Sequence, residues 1–325
     1  MREISVKDAI REAMTEEMAS DANVFLMGEE VGASGGVYGC STEMLERFGE
    51  RRVVDTPIAE NGFTGVGIGA ALLGLRPIIE FMSFSFSLVA IDQIINTAAK
   101  ARLMSGGQLN LPIVFRGANG FVNQYGAQHS NSFEHFFAYT PGLKVVCPAT
   151  PHDMKGLLKS SIRDDDPVIF CESVLTYELT GAVPDEDYTI PLGVADIKRE
   201  GSDVTLITWS KNVYLALSVA SALEQDGVSV EVLDLRSLRP LDKTAIFESV
   251  AKTNRAVILQ EQHAVASFGA YLGHLISTEI FDELDAPVGL VSSLEAPIPF
   301  SKGLEAAVLP SKERCLAEVM KVLEG

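Results

Sequence analysis

The sequence predicts an α/β protein made of two doubly wound domains, each with a mainly parallel sheet between two layers of helices. Short runs rich in β-branched and aromatic residues alternate with helical segments along the whole chain, which is typical of this class. A length of 325 residues exceeds what one hydrophobic core usually serves, so we expect two domains. A composition that is 47% apolar and 22% charged fits a well-packed globular protein.

The predicted strands fall into two groups along the chain. The first group is NVFLMG, RRVVDTP, LRPIIEF, LPIVFRG, LKVVCP and DPVIFCE. Around residues 178–201 the pattern lapses into a stretch rich in proline, glycine and acidic residues, and strands resume at DVTLITWS, VSVEVLDLRS and RAVILQEQ. We therefore place the domain boundary near residue 190, giving domains of residues 1–190 and 191–325. Ligands of such open sheets bind outside the carboxyl ends of the strands, so we seek functional residues there.

Charge and cysteine content restrict the partners and the compartment. A formal net charge of −18 argues against nucleic acid or an anionic membrane as the main partner and permits a basic protein partner. The four cysteines are far apart and form no C-x-x-C motif, which fits a reducing cytoplasm. The N-terminal MREISVKDAIREAMTEEMASD mixes charged and apolar residues and does not predict a signal peptide. No window reaches the roughly 18 consecutive apolar residues of a membrane span.

The glycine-rich segment IAENGFTGVGIGAALLG contains Gly65-x-Gly67-x-x-Ala70, which formally matches a dinucleotide-binding fingerprint. In that fingerprint the glycines form the turn directly after a strand, whereas here about ten residues intervene. The small residues instead recur at helical spacing, which indicates a helix that packs closely against a partner helix, in this chain or in another subunit. Glu60 begins this helix and is either a capping carboxylate or a site residue.

Two further polar motifs each allow a structural and a functional interpretation. The run GASGG matches G-x-S-x-G with Ser34 as nucleophile, but it lacks the directly preceding strand and following helix of a nucleophile elbow. The run SSIRDDDP places Asp164 and Asp166 at the end of a helix, where the helix dipole disfavours carboxylates. A bound hard cation would relieve this, and a solvated turn before Pro167 is the alternative.

The stretch QYGAQHSNSFEHFFAY contains two histidines of different character. His129 lies in a loop of small polar residues about a dozen residues after LPIVFRG, where a scaffold usually presents catalytic groups. His135 precedes two phenylalanines in a segment that reads as helix, so packing is the simpler interpretation. The earlier segment EFMSFSFS has aromatic residues and a methionine that either line a pocket for a flat heterocycle or belong to the core. An amphipathic helix is expected after this segment.

Taken together, these segments resemble a known family. The stretches VVDTPIAENGFTGVGIGAALLGLRPIIEFMSFSF, IDQIINTAAK, LPIVFRG, GAQHS, PGLKVV, GLLKSSIRDDDPVIF, DLRSLRPLD and LDAP resemble the β subunits of thiamine-diphosphate-dependent 2-oxo acid dehydrogenases, in the same order and across both domains. The likeness is closest to the pyruvate dehydrogenase type. Acetoin and branched-chain types share most of these stretches.

The resemblance implies the following fold, assembly and cofactor. The first domain would be a pyrimidine-type thiamine-diphosphate-binding domain and the second a transketolase C-terminal-like domain. Two α and two β chains would form an α2β2 heterotetramer, with thiamine diphosphate between α and β and with magnesium held by the α subunit. This sequence has no Gly-Asp-Gly followed by paired asparagines, the pattern that holds magnesium and diphosphate, which is consistent with half a site.

The resemblance also implies roles for individual residues. Glu60 would contact the aminopyrimidine ring nitrogen, and His129 would move protons near the reactive carbon and the incoming lipoyl group. Ile58, Met82 and Phe86 match the wall on the pyrimidine side. Such an apolar surrounding favours the protonated carboxyl that must donate to that nitrogen.

A potassium site of the family maps onto a second set of residues, partly through main-chain carbonyls. These are Ile113, Ser161, Ile162, Asp164 and Asp166. Ser161 and Asp166 depart from the family's alanine and asparagine, so occupancy by potassium is an open expectation.

The implied function is oxidative decarboxylation of pyruvate with reductive acetylation of a lipoyl domain. Asp285 of LDAP matches an acidic residue that docks the dihydrolipoyl acyltransferase core, and the net charge of −18 suits a basic partner domain. One alternative is the β subunit of an acetoin or branched-chain 2-oxo acid dehydrogenase. The other is a non-catalytic scaffold in which Glu60 and His129 are packing residues.

Overall fold

Two largely parallel sheets organise the chain in the computed structural model, which describes residues 1–121 and 123–325. The strands are β1 (Arg2–Ser5), β2 (Val24–Gly28), β3 (Val53–Asp55), β4 (Arg76–Phe81), β5 (Val114–Ala118), β6 (Lys144–Val146), β7 (Val168–Glu172), β8 (Thr180–Val183), β9 (Asp196–Arg199), β10 (Val204–Thr208), β11 (Val230–Asp234), β12 (Ser237–Arg239), β13 (Ala256–His263) and β14 (Gly289–Ser293). The α-helices are α1 (Val6–Ser20), α2 (Met44–Phe48), α3 (Glu60–Leu72), α4 (Ala101–Met104), α5 (Glu134–Tyr139), α6 (Pro151–Arg163), α7 (Asn212–Leu223), α8 (Lys243–Thr253), α9 (Phe268–Glu279), α10 (Lys302–Val308) and α11 (Lys312–Glu324).

The first sheet has the strand order β12-β6-β7-β5-β4-β2-β3, with only β12 antiparallel to its neighbour. Strands β2, β5 and β7 are buried at every residue, because helices cover both faces of the sheet. Helices α1 and α6 share one hydrophobic core with alternate strand residues. Helix α3 and the segment after β4 pack on the opposite face.

The second sheet has the order β14-β13-β10-β11-β9, in which β9 is the antiparallel edge strand. Helices α7 and α11 cover one face and α8 and α9 the other. The core on the α8 and α9 side continues into the first sheet, since one cluster of buried residues includes Phe115 and Phe137 as well as Trp209 and Ile258. The two sheets therefore pack against a shared apolar interior.

The predicted fold class is confirmed, and each predicted strand run contains a strand of the structure. The chain leaves the first group of strands after β8 and enters the second sheet at β9, on either side of residue 190; the boundary itself stays a prediction. Strand β12 was not foreseen: it lies in the later part of the chain but pairs with β6 of the first sheet.

The segment after β4 differs from the amphipathic helix that the sequence predicts. It winds as a 3₁₀ helix over Phe84–Ala90, a π-helix over Gln93–Ala98 and then the short α4. The Ser87 hydroxyl donates to the Phe84 carbonyl at 2.6 Å, a side-chain bond that competes with regular helix bonding. Apolar periodicity alone does not distinguish these windings.

No helix within residues 1–121 or 123–325 combines the length and the apolar character needed to cross a bilayer.

Candidate active site

Predicted site residues gather at the carboxyl edge of the first sheet. Strands β3, β4 and β5 are parallel, directly or through β2, so they end on the same side of the sheet. Glu60 follows β3, Met82 and Phe86 follow β4, and His129 follows β5. The topology thus brings to one edge residues that are up to about 70 positions apart in the sequence.

Glu60 is the first residue of α3 and is only 7% exposed. Ala59 is the N-cap residue, and no side chain caps this helix, so the capping interpretation of Glu60 is not supported. As the first residue of the helix, Glu60 lies at its partially positive N-terminus. The helix is held on the sheet by the Phe63 ring, whose centroid lies 5.7 Å from that of Phe81 at the end of β4.

His129 packs against the predicted wall. Its ring meets the Phe86 ring edge-on, with centroids 4.9 Å apart, and the Tyr125 ring lies at 6.5 Å. Met82 and Phe86 are half-buried, whereas Ile58 is 80% exposed and does not cover Glu60 within this chain. The structure therefore joins Phe86 with His129 and leaves Ile58 at the surface.

His135, the second histidine of the stretch, has a packing environment. Its ring stacks on Phe136 with centroids 4.5 Å apart. Burial lowers the pKa of His135, and its Nδ1 has no hydrogen-bond partner among the described residues. A half-buried imidazole of this kind agrees with the packing interpretation.

Glu29 belongs to the site but was missed in the sequence. It directly follows β2, is 6% exposed, and its Oε1 has no hydrogen-bond partner among the described residues. Burial, together with repulsion from Glu60 and Glu80, raises the pKa of Glu29 to about 7. The available signal was an acidic residue directly after a fully apolar strand.

A buried charge cluster lies beneath this edge and ties three strands together. Arg116 on β5 bonds Glu172 on β7 at 2.6 Å and also pairs with Glu80 on β4. The Tyr177 hydroxyl donates to the other Glu172 oxygen at 2.6 Å. Burial raises the pKa of Glu80, and the neighbouring Arg116 opposes that shift. The cluster fixes the strand ends from which the site residues project.

The predicted cation ligands belong to the end of α6, the loop after it and the residue before β5. The Asp164 N–H donates to the Ser161 carbonyl at 3.4 Å, and the Val168 N–H donates to the Ile113 carbonyl at 2.9 Å. Each of these two carbonyl oxygens retains a second lone pair for a cation. Carbonyl ligands of this kind suit a hard cation.

Lysine and arginine side chains of the protein already neutralise the carboxylates in the loop between α6 and β7. Lys144 Nζ lies 2.7 Å from both Asp164 oxygens and 3.4 Å from Asp166. Arg76 donates to the carbonyls of Ile162 and Asp164 at 3.1 and 3.0 Å. Among the described residues there is no group of three or more His, Cys, Asp or Glu suited to hold a metal. Lys144 thus occupies the carboxylates and Arg76 the Ile162 carbonyl, so the carbonyls of Ile113 and Ser161 are the predicted ligands that no side-chain cation contacts among the described residues.

Two other sequence motifs have structural roles. Ser34 Oγ donates to Glu30 Oε2 at 2.5 Å in an irregular turn, so the G-x-S-x-G match is not a nucleophile elbow. Gly65, Gly67 and Ala70 lie inside α3, where a Cβ at Gly67 would lie 2.5 Å from Ile79 Cδ1. The glycine pattern therefore serves close packing of helix on sheet, and the dinucleotide fingerprint is excluded.

Asp285 lies apart from this edge, in the loop before β14. Its carboxylate pairs with Arg255 at 3.1 Å and is 56% exposed. The position is open to a partner, and its charge is partly balanced within the chain.

Comparisons with known proteins cover both domains. Residues 2–178 match the family model "Transketolase, pyrimidine binding domain" and residues 193–315 match "Transketolase, C-terminal domain". A relative from Rickettsia felis, named pyruvate dehydrogenase E1 component subunit beta, is 48% identical over 320 residues, 98% of each chain. The mitochondrial protein of that name from Caenorhabditis elegans is 47% identical and covers 98% of this chain and 92% of its own length.

A solved structure supports the same fold. It is described as "Split gene transketolase, inactive beta4 tetramer", has a TM-score of 0.82 and 21% identity, and covers 99% of this chain and 98% of its own. At that identity the likeness concerns the fold alone. The identity to the named relatives over almost the full length decides the family: this chain belongs to the pyruvate dehydrogenase E1 component beta subunits, built from a transketolase pyrimidine-binding domain and a transketolase C-terminal domain.

Proposed function

We propose that this chain is the β subunit of a pyruvate dehydrogenase (acetyl-transferring), an oxidoreductase that acts on the oxo group with a disulfide acceptor. With an α subunit it decarboxylates pyruvate oxidatively and acetylates a lipoyl domain. The observation that carries this is the 48% identity, over 98% of both chains, to a relative of that name. Glu60, Phe86 and His129 at one sheet edge support an active role rather than a scaffold.

The residues present fit thiamine diphosphate as the cofactor shared with the α subunit. When bound, it supplies the carbon nucleophile that accepts the 2-oxo acid and the electrons left after CO₂ departs. A buried carboxyl at Glu60 beside the half-buried Met82 and Phe86 suits a flat aminopyrimidine ring, and the exposed Ile58 offers it an apolar surface. Magnesium would be held by the α subunit, in line with the absence of its sequence pattern here.

Glu60 and His129 have different tasks in this proposal. Glu60 donates a proton to the ring nitrogen of the aminopyrimidine, and the adjacent Glu29, with its pKa raised to about 7, limits negative charge beside it. His129 serves the acetyl transfer. There the lipoyl S–S bond breaks as it takes up two electrons, one sulfur receives the acetyl group, and the other receives a proton from His129.

The assembly and the cation site are further parts of the proposal. An α2β2 heterotetramer completes the active site. The dihydrolipoyl acyltransferase core binds near Asp285 through its subunit-binding domain, and its lipoyl domains bind transiently near His129. Asp285 is exposed enough to bind a basic side chain. Potassium would use the carbonyls of Ile113, Ser161 and Ile162 with Asp164 and Asp166.

Substituting Glu60 tests the central assignment. In the complex reconstituted with the α subunit, we expect Glu60→Gln to lower pyruvate decarboxylation at least about 100-fold, because an amide cannot pass a proton to the ring nitrogen. Circular dichroism should show an intact fold, and Glu50→Gln, an exposed glutamate, should retain full activity. Undiminished turnover by Glu60→Gln would refute the role.

The substrate is tested in the same complex. We expect pyruvate to be used with a higher kcat/KM than branched-chain 2-oxo acids or acetoin. A preference for a branched-chain acid would assign the chain to the alternative dehydrogenase.

A further inference from the structure

The loop that carries His129 is held by the second domain. We define the His129 loop as residues 119–121 and 123–133, between β5 and α5. Two carboxylates from the second domain, Glu261 on β13 and Glu305 on α10, accept hydrogen bonds from it. Neither residue stood out in the sequence, because nothing in its neighbourhood points to a loop more than 100 positions away.

Glu261 joins the two ends of the loop. Its Oε1 accepts the Phe121 N–H at 2.6 Å and the Ser132 hydroxyl at 2.7 Å. Its other oxygen pairs with Lys211, whose ammonium also lies 4.7 Å from the centroid of the Phe121 ring. The Glu261 side chain is 9% exposed, so water weakens these charge-assisted bonds little. The Glu261 carboxylate therefore fixes the separation between Phe121 and Ser132, near the two ends of the loop.

The backbone of the loop is shaped to receive this carboxylate. Gly120 has φ +83°, and its N–H donates to the Asn131 carbonyl at 2.8 Å. A Cβ at Gly120 would collide with Glu261 Oε1. A glycine is thus required here by its conformation and by the approach of the carboxylate.

Glu305 holds the middle of the loop. It is 2% exposed and accepts the Gln124 N–H at 2.7 Å. Gln124 has φ +66°, a left-handed conformation that costs a residue with a side chain about 1 kcal/mol and persists only where contacts enforce it. The hydrogen bond to Glu305 is such a contact.

His129 lies between these anchors and the first domain. On the side of the first domain its ring meets Phe86, and Ser85 Oγ accepts the Asn131 N–H at 3.4 Å. The imidazole is therefore placed by one aromatic ring of its own domain and by backbone tethers to the other domain. A small shift of either tether would move its nitrogen atoms.

We propose that Glu261 and Glu305 are positioning residues for acetyl transfer, which hold the His129 loop so that the imidazole can reach the lipoyl sulfur. The inference rests on the proposed function, because it needs His129 to act in that half of the reaction. A purely structural role would instead affect both half-reactions alike.

The test separates the two half-reactions in the reconstituted α2β2 complex. Decarboxylation of pyruvate is followed with ferricyanide as electron acceptor, and acetyl transfer is followed by mass spectrometry of a lipoyl domain. We expect Glu261→Ala to lower kcat for acetyl transfer about 10- to 100-fold, because a displacement of about 1 Å costs this much, and to change ferricyanide turnover less than about twofold. Glu261→Gln keeps an acceptor oxygen for both loop donors and should restore most of the transfer rate.

Milder and control variants keep the inference testable if Glu261→Ala folds poorly. Ser132→Ala removes one of the two donors and should lower acetyl transfer alone, by about threefold. Asp153→Asn weakens a different contact between the domains and should not separate the two half-reactions.

Two results would overturn the inference. One is acetyl transfer at the wild-type rate in folded Glu261→Ala. The other is an equal fall of both half-reactions in all variants. The variant His129→Asn separates failure of this inference from failure of the proposed function. If His129→Asn transfers acetyl groups at the wild-type rate, the role proposed for His129 is wrong, and so is the inference that depends on it. Loss in His129→Asn without loss in Glu261→Ala refutes the inference alone.

Discussion

Glu29 is a buried carboxyl group whose ionisation costs the folded chain free energy. Its pKa is raised from 4.5 to about 7 by burial and by two neighbouring carboxylates. Between these pH values the folded chain retains a proton that the unfolded chain has released, so the free energy of unfolding falls as pH rises and levels off above about pH 7. We expect Glu29→Gln to reduce this slope by the share of one carboxyl group, since Asp234 titrates in the same range, and to stabilise the chain by about 1 to 2 kcal/mol at about pH 8.

Urea unfolding of the purified chain at several pH values measures this slope. Glu50→Gln removes an exposed carboxylate and should leave the wild-type slope intact. An unchanged slope in Glu29→Gln would mean that Glu29 ionises normally in the folded chain.

Sequence reasoning found the site residues that carry a local signature. His129 stood out because it lies in a polar loop after a strand, and Glu60 because it begins a helix. Glu29 and Glu261 did not stand out, since their neighbours are brought near only by the strand order and by the packing of one domain on the other. The residue pattern favoured packing for His135, but only the resemblance gave His129 its catalytic role.

Two glycines of helix α3 face different surroundings. A Cβ at Gly67 would lie 2.5 Å from Ile79 Cδ1, whereas a Cβ at Gly69 meets nothing within 4 Å. We expect Gly67→Ala to destabilise the chain by about 1 to 2 kcal/mol through overpacking. Gly69→Ala should stabilise it by about 0.5 to 1 kcal/mol through helix propensity. Urea unfolding of the two variants measures both values.

The same pair of variants tests what lies on the exposed face of the helix. If another subunit packs closely there, Gly69→Ala should weaken assembly with the α subunit in analytical ultracentrifugation even though the chain alone is more stable. The same sign of stability change in both variants would contradict the packing argument.

Helices and strands were predictable where buried residues recur at a regular spacing along the sequence. The strands of both sheets read as apolar runs because helices cover both faces, and α3 reads as a helix from its small residues. The segment Phe84–Ala98 was not predictable in detail, since serine side chains and tertiary packing select 3₁₀ and π winding there. Strand β12 has three residues and carries no pattern of its own.

The alternation of strands and helices along the whole chain was sufficient to predict two α/β domains. How the two domains join was not predictable, because part of the contact is made by charged residues far apart in sequence. Asp153 at the start of α6 bonds Arg236 Nη1 at 3.0 Å and also pairs with Lys198 on β9. Asp234, at the end of β11, is fully buried beside them, and burial raises its pKa to about 7.

Asp153 is fully buried, and although burial opposes its ionisation, hydrogen bonds from His152 and Lys198 hold the pKa of Asp153 well below its ordinary value. Its stabilising effect is therefore present above about pH 4 and is lost as the solution becomes more acidic. We expect Asp153→Asn to destabilise the chain by about 3 kcal/mol at neutral pH, because the buried Arg236 loses its carboxylate partner while Lys198 keeps only Asp196 and Asp234. Urea unfolding measures the loss, and Glu178→Gln, which removes the exposed partner of Lys7, should cost at most about 1 kcal/mol. Added salt should change the stability of Asp153→Asn and of the wild type by equal amounts, since a buried pair is poorly screened. Equal, small losses in both variants would show that the apolar interior alone joins the two domains.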